Sequence, residues 1–319
     1  MKRIKHPIHD DFKKWANTHP PLNKPILRLI QTFVGGLYKK QKSTPACKVE
    51  KQFIPISDGA KIPALLYTPN GVEKSAPCLI FYPGGGFVLP PAPYHFDLAR
   101  EYAQRVGCKV LFVLYRLAPK YRFPTAHNDA FDAYKWVLEN AEKLQIDGGR
   151  VALSGESAGG NLTISVCLKA EELGLRMPCA QMLTYPVTGE NLETESMQRF
   201  VDTPMCSTRD MEKYQKLYAP FLPDEKRKYL LPIEAESLSF LPCTYIETAE
   251  FDCLRDGGIL FAERLKKDGV DVQLNETRGT MHAFDIAQKS AITRACIEKR
   301  IAFLKKCFLS KNHKKRVTF

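Results

Sequence analysis

The stretch Val151-Ala-Leu-Ser-Gly-Glu-Ser-Ala-Gly-Gly160 decides the fold of this chain. Its apolar start predicts a strand, and Gly155-x-Ser157-x-Gly159 then predicts a tight turn into a helix. Glycines are needed there because side chains would clash in so tight a turn. The turn lifts the Ser157 hydroxyl out of the sheet to a helix N-terminus, where the dipole favours developing negative charge. The pattern predicts that Ser157 is a nucleophile, whereas Ser154 is a strand-end residue.

Strands and helices alternate on both sides of this turn. A strand–turn–strand pattern, broken at Asp58-Gly59, comes first. The later predicted strands cover residues 78–82, 110–115, 150–153, 180–187, 243–248 and 271–276. The predicted helices cover residues 96–105, 128–143, 256–267 and 290–305, besides one after Ser157. This order predicts an α/β fold with a mostly parallel sheet covered on both faces, whose ligands bind at the carboxyl edge.

Two segments interrupt the alternation and are interpreted as a cap over that edge. Residues 188–239 contain one helix candidate, at 208–218. Residues 22–38 have an apolar stripe that is expected to pack on the rest of the protein: Ile26, Leu27, Ile30, Phe33, Val34 and Leu37. We therefore expect an N-terminal cap segment (1–45), a core (46–187 and 240–310), a cap insertion (188–239) and a basic tail (311–319).

A second loop, Pro83-Gly84-Gly85-Gly86-Phe87, follows the strand at 78–82. Three glycines after a strand free backbone N–H groups to point at an oxyanion, although an ordinary turn can have the same composition. No Gly-Lys-Ser/Thr follows, which excludes a phosphate loop on motif grounds. The loop is a candidate oxyanion hole.

A serine hydroxyl needs a base to remove its proton and an acid to orient that base. Of the seven histidines, only His282 follows a late strand in a turn that can reach over the sheet edge. In α/β-hydrolases the acid lies between the serine and the histidine in the chain. Asp252 follows a strand at the right place and is the predicted acid, with Glu250 and Asp256 as rivals.

Five motifs in this order resemble the hormone-sensitive-lipase-like esterases over about residues 50–305. They are Tyr115-Arg-Leu-Ala-Pro119, Phe123-Pro124, residues 155–160, Asp252-x-Leu-Arg-Asp256 and His282-x-Phe284. The resemblance implies an eight-stranded α/β-hydrolase core flanked by helices, with a helical cap. It implies a catalytic triad of Ser157, Asp252 and His282, and an oxyanion hole formed by the N–H groups of Gly85, Gly86 and Ala158.

The same resemblance implies a serine carboxylesterase that cleaves short- to medium-chain acyl esters through an acyl-enzyme, without a cofactor or metal. Deacetylation of sugars and amide cleavage by the same triad are alternatives, and a non-catalytic receptor of this fold is a third. Two residues depart from the family pattern. Pro83 stands where the family has a histidine that braces the glycine loop, and Glu156 replaces the more frequent aspartate, a change from which little effect is expected.

Charge and cysteine content indicate which binding partners and which cellular compartment to expect. Much of the net charge of +12 lies near the ends of the chain, where solvated residues explain it, and no nucleic-acid module is present. The first seven residues are basic but no apolar core follows, so no secretory signal is expected. Ten scattered cysteines match no metal site and predict a reducing, cytoplasmic location. A small ester is the expected substrate; the sequence leaves open a weak contact with a membrane surface and a homodimer.

Overall fold

The computed structural model describes residues 6–189 and 193–310 of the 319-residue chain. Its strands are β1 (Cys47–Pro55), β2 (Lys61–Pro69), β3 (Ala76–Tyr82), β4 (Lys109–Val113), β5 (Ile146–Glu156), β6 (Ala180–Thr184), β7 (Cys243–Thr248) and β8 (Val272–Glu276). They form one sheet in the order β1-β2-β4-β3-β5-β6-β7-β8. The β1–β2 and β2–β4 pairs are antiparallel and all other pairs are parallel. The prediction of a mostly parallel, eight-stranded sheet is confirmed.

Helices cover both faces of this sheet. In the part of the chain that the structure describes, the α-helices are α1 (Lys24–Phe33), α2 (Pro93–Tyr102), α3 (Thr125–Glu139), α4 (Ala158–Glu172), α5 (Glu195–Arg199), α6 (Thr208–Tyr218), α7 (Arg227–Leu230), α8 (Arg255–Lys267) and α9 (Ala291–Leu309). Apolar side chains of α3, α4 and α8 belong to the core on one face, and those of α2 and α9 to the core on the other. Strands β3, β4 and β6 are therefore buried along their whole length, as parallel strands between two helix layers are.

Several elements end at other residues than predicted. The strand predicted at 180–187 ends at Thr184, because Tyr185 turns out of the sheet with φ +38°. The helix predicted at 96–105 begins at Pro93, and its last turn, at 103–107, widens into a π-helix. In contrast, α6 has the predicted bounds, and the side chain of Ser207 caps it by accepting from the N–H of Asp210.

The apolar stripe of residues 22–38 is only partly packed on the protein. Leu27 is fully buried, but Ile26, Leu29 and Phe33 are 48%, 58% and 70% exposed. Ile30, Val34 and Leu37 are half-buried, so the expected packing is confirmed for part of the stripe and is wrong for Ile26 and Phe33. Instead α1 docks by its Leu27 side, where Gln31 Nε2 donates to the carbonyl oxygens of residues 88 and 118, each at 2.7 Å.

The basic residues follow the predicted pattern where the structure describes them. Lys39, Lys40 and Lys42 are exposed. The basic residues at positions 2, 3 and 5 and the predicted tail (311–319) lie outside the described residues. Within 6–189 and 193–310, none of the helices has the length and hydropathy of a membrane span.

Candidate active site

The loops that were predicted to carry the chemistry all lie at the carboxyl edge of the sheet. The glycine loop follows β3 and Ser157 follows β5, its neighbour in the sheet. The loop with Asp252 follows β7, and the loop with His282 follows the adjacent β8. Because parallel strands end at the same edge, the topology brings these four distant segments of sequence together.

The turn at Ser157 is as tight as the sequence predicted. Ser157 has φ +53° and ψ −116°, a strained conformation for a residue with a side chain. A Cβ at Gly155 would lie 2.0 Å from the carbonyl oxygen of Gly159, and a Cβ at Gly159 would lie 1.9 Å from that of Tyr82. Both positions therefore require glycine. The strain is held by backbone bonds on both sides, from the Ser157 N–H to Thr184 and from the N–H of residue 187 to Ser157.

Ser157, His282 and Asp252 form a continuous hydrogen-bonded chain. His282 Nε2 lies 2.9 Å from Ser157 Oγ, and His282 Nδ1 lies 2.6 Å from Asp252 Oδ2. All three side chains are buried, and the other oxygen of Asp252 accepts from the backbone N–H of Leu254 at 2.9 Å. This geometry orients the imidazole so that one nitrogen faces the serine hydroxyl and the other faces the carboxylate.

The surroundings of His282 favour its protonated form. Burial has the largest single effect and lowers its pKa, but the charges of Asp252, Cys206 and Glu156 and the hydrogen bond to Asp252 together outweigh it and raise the pKa to about 9. The ring of Tyr185 packs 4.8 Å from the imidazole, centroid to centroid. An imidazolium that forms during a proton transfer is therefore stabilised in this site.

The rival acids and His127 have other partners. Glu250 accepts from the N–H of Gly279, and Asp256 accepts from Arg255 and from the N–H of residue 196. His127 bonds Tyr218 and Asn161, and burial lowers its pKa to about 4, so it is neutral. Neither rival carboxylate contacts His282 within the described residues, which leaves Asp252 as its partner.

The glycine loop lies beside Ser157 and is braced without a histidine. Gly85 and Gly86 have φ +132° and +59°, and both residues line the same pocket as Ser157. The carbonyl oxygen of Pro83 accepts from the Tyr115 hydroxyl at 2.7 Å. Tyr115 therefore holds the start of the loop through the carbonyl oxygen of Pro83. Gln31 of α1 holds its other end through the carbonyl oxygen of residue 88.

Replacement of Tyr115 with phenylalanine is expected to lower kcat by about 5- to 30-fold with little change in KM. The lost bond to Pro83 is worth about 1–2 kcal/mol, and it holds the loop whose N–H groups are predicted to stabilise the oxyanion of the transition state. Steady-state kinetics on p-nitrophenyl butyrate measure both constants.

Tyr82→Phe is the matched control for this change. Tyr82 is also buried and also donates to a backbone carbonyl, that of Ala130 at 2.9 Å, but this acceptor belongs to α3 and not to the glycine loop. Both variants should lose stability, and only Tyr115→Phe should lose kcat. Equal kcat losses in the two variants would contradict a bracing role.

Comparison with known proteins agrees with this geometry. A family model described as the alpha/beta hydrolase fold matches residues 79–286. The ethyl acetate hydrolase of Pseudomonas putida is 35% identical over 230 residues, which cover 71% of this chain and 72% of that protein. Carboxylesterase NlhH of Mycobacterium tuberculosis is 33% identical over 244 residues, covering 75% and 76%. The chain belongs to the hormone-sensitive-lipase-like esterases of the α/β-hydrolase fold.

Solved structures of other esterases superpose over nearly the whole chain. A bacterial heroin esterase has a TM-score of 0.85 at 29% identity and covers 95% of this chain and 99% of its own. An esterase of Pyrobaculum calidifontis has the same TM-score at 30% identity and covers 95% and 100%. These likenesses extend beyond the five sequence motifs, and together with the curated relatives they show that this chain is an ester-hydrolysing enzyme.

In this esterase the pocket above Ser157 is walled by the predicted cap insertion. Eight residues of this segment line the pocket, and all except Gln215 are apolar or aromatic: Met205, Cys206, Met211, Tyr214, Gln215, Tyr218, Ala219 and Leu230. Tyr214 lies directly on the glycine loop, since a Cβ at Gly86 would come within 2.3 Å of its ring. Among the described residues, none of 6–45 lines this pocket; that segment instead touches the insertion, where the N–H of Met205 donates to Thr18.

A buried charge network supports the His282 loop of this esterase and was missed from sequence. Arg300 of α9 is fully buried and bonds both oxygens of Asp285, at 2.8 and 3.0 Å, and the carboxylate of Glu247. Asp285 lies three residues after His282 and also accepts from the Tyr185 hydroxyl at 2.8 Å. An arginine amid the apolar stripe of α9 was the one signal of this network in the sequence.

Glu156 has partners that its sequence position did not reveal. His95 Nε2 lies 2.9 Å from one oxygen of the Glu156 carboxylate, and the Tyr94 hydroxyl donates to that same oxygen at 3.3 Å. All three residues line the pocket of Ser157. They form a polar side of the pocket, whose lining is otherwise mainly apolar.

Proposed function

We propose that this esterase hydrolyses short- to medium-chain acyl esters with Ser157 as nucleophile, His282 as general base and Asp252 as orienting acid. The unbroken chain of hydrogen bonds from Asp252 through His282 to Ser157, at the base of an apolar pocket, carries the proposal. The same observation disfavours a non-catalytic receptor, because a ligand-binding protein has no need of an aligned triad.

In the first half of the reaction, Ser157 Oγ attacks the ester carbonyl while His282 Nε2 takes the serine proton. Asp252 keeps the imidazole in the tautomer that can accept it and stabilises the imidazolium. The tetrahedral intermediate then collapses: the bond to the alkoxide breaks, and His282 returns its proton to that oxygen. The products are the free alcohol and an acyl group on Ser157.

In the second half, water replaces the serine. His282 takes a proton from the water as the water oxygen attacks the acyl carbonyl. When the second tetrahedral intermediate collapses, the bond from the carbonyl carbon to Ser157 Oγ breaks, His282 returns the proton to Oγ, and the carboxylic acid leaves. In both halves the N–H groups of Gly85, Gly86 and Ala158 would hold the oxyanion. Each such donor typically contributes about 2.7–4 kcal/mol to transition-state stabilisation.

The pocket lining supports an apolar acyl or alcohol group. Met205, Met211 and Leu230 offer no hydrogen bonds, so any hydroxyl of an acetylated sugar that lies against them would lose water without gaining a partner. Relatives of this chain include an ethyl acetate hydrolase and a carboxylesterase, which by name act on ethyl acetate and on carboxylic esters. Residues 188–239 are thus proposed to act as the cap that selects the substrate.

Across p-nitrophenyl esters from acetate to decanoate, kcat/KM is expected to rise from acetate and to fall again at the longest chains. Each methylene that enters an apolar pocket contributes about 0.8 kcal/mol, or roughly a fourfold gain, until the pocket is full. Steady-state kinetics across the series measure the optimum.

Acetylated sugars and p-nitroanilides of the same acids should be assayed in parallel with the p-nitrophenyl esters. They are expected to be poorer substrates than the matched esters. A kcat/KM for a sugar acetate or an anilide above that of every ester would replace the proposal with a deacetylase or an amidase, and Ser157→Ala distinguishes either from a contaminating activity.

The cytoplasm is the proposed location, supported by ten cysteines that are all free in the structure. The proposed reaction needs no cofactor and its partner is a small ester.

The weak membrane contact and the homodimer stay predictions, and the exposed side of α1 with Leu29 and Phe33 is where either would form. Co-sedimentation with anionic vesicles and a light-scattering mass test them.

A further inference from the structure

Two cysteines that are 64 residues apart in sequence meet at the sheet edge opposite the active site. Cys243 is the first residue of β7, and Cys307 lies in the last turn of α9. Their Sγ atoms are 3.1 Å apart. A disulfide bond is about 2.05 Å long, so the two atoms need to approach by only about 1 Å to be joined.

The two thiols differ in exposure and in acidity. Cys243 is partly exposed, whereas Cys307 is 5% exposed. A hydrogen bond from Cys307 lowers the pKa of Cys243, and the same bond raises that of Cys307. Cys243 is therefore the more exposed and the more acidic thiol of the two, which an oxidant reaches first, and Cys307 is the neighbouring thiol that can resolve its sulfenic acid.

We propose that Cys243 and Cys307 form an oxidisable dithiol that hydrogen peroxide converts into a disulfide between β7 and α9. The Cys243 thiol loses its proton, its sulfur attacks the peroxide, and the O–O bond breaks. A sulfenic acid forms, and the hydroxide that leaves takes up that proton as one water. Cys307 Sγ then attacks the sulfenic sulfur, an S–S bond forms, and the S–OH group leaves with the Cys307 proton as a second water. Two thiols and one peroxide thus give one disulfide and two waters.

The position of the pair determines what the disulfide does. It would tie the start of β7, the strand beside the edge strand β8, to the end of α9 and close a long loop of chain, which restricts the unfolded state. Asp252 follows the other end of β7, so the triad is not part of the link. Oxidation should therefore raise the thermal stability, with a melting temperature higher by about 5 °C.

The test treats the purified wild-type protein with hydrogen peroxide, blocks remaining thiols with iodoacetamide and digests with trypsin. Trypsin releases Cys307 within residues 307–311 and Cys243 within residues 229–255, which also contain Cys253. Fragmentation between positions 243 and 253 therefore assigns the link. The expected result is a 243–307 linked peptide, two hydrogen masses lighter than its parts, that disappears with a reductant.

Cys243→Ser and Cys307→Ser should abolish both the link and the rise in melting temperature. Cys296→Ser, on the same helix α9 but away from the pair, is the matched control and should retain both. Free thiols at both positions after peroxide, a link from Cys243 to Cys179, or an over-oxidised Cys243 without a link would each overturn the proposal. So would a linked protein that melts at the same temperature as the reduced one.

Discussion

Ser157→Ala is expected to reduce kcat on p-nitrophenyl butyrate by about 10⁴- to 10⁶-fold, because no acyl-enzyme can form without the hydroxyl. Labelling by a fluorophosphonate probe should be lost at the same time. The change removes one buried oxygen and keeps the strained backbone, so the fold should be retained; circular dichroism and the melting temperature check this.

Ser154→Ala is the matched control for the nucleophile. Ser154 is a buried strand residue three positions before Ser157, and its activity and labelling should stay near those of the wild type. The proposed mechanism would be wrong if Ser157→Ala retained near wild-type hydrolysis while its structure was intact.

Asp252→Asn is expected to reduce kcat by about 10⁴-fold, since the amide keeps the shape of the carboxylate but favours the wrong imidazole tautomer. It should also move the pH dependence. His282 must be neutral to accept the serine proton, so kcat/KM rises with pH through the pKa of His282. In the wild type, where Asp252 raises that pKa, the rise should extend to about pH 9.

Loss of the Asp252 charge removes the interaction that favours imidazolium, so the pKa of His282 falls. The acid limb of the kcat/KM profile should therefore shift to lower pH as the plateau drops. Asp256→Asn is the control: this carboxylate bonds Arg255 and not His282, and its profile should keep the wild-type midpoint. If the pH profile of kcat/KM for Asp252→Asn had the wild-type midpoint, the acid limb would reflect the pKa of a group other than His282.

The placement of the candidate site could be predicted because each of its residues follows a strand. Glycines around Ser157 and in the 84–86 loop have steric causes that are visible in the sequence, and the order of Ser157, Asp252 and His282 reflects the order of the strands. In a parallel sheet this order is enough to bring them to one edge.

The supports of that site could not be predicted, because they depend on contacts between distant segments. Tyr115 reaches Pro83, and Arg300 reaches Asp285. Spacing gives the face on which a residue lies but not the partner across a loop. The same reason explains why the stripe with Phe33 was expected to be packed: periodicity describes an amphipathic helix but not what covers it.

Tyr214 couples two properties that protein engineers usually vary separately. Its ring belongs to the wall of the substrate pocket and also leaves no space above Gly86 in the loop of the proposed oxyanion hole. A smaller residue at 214 would admit bulkier esters and at the same time remove the packing that keeps those N–H groups aimed. Libraries that broaden the substrate range of this esterase at that position will therefore select for compensating changes in the glycine loop, and selectivity and turnover will evolve together.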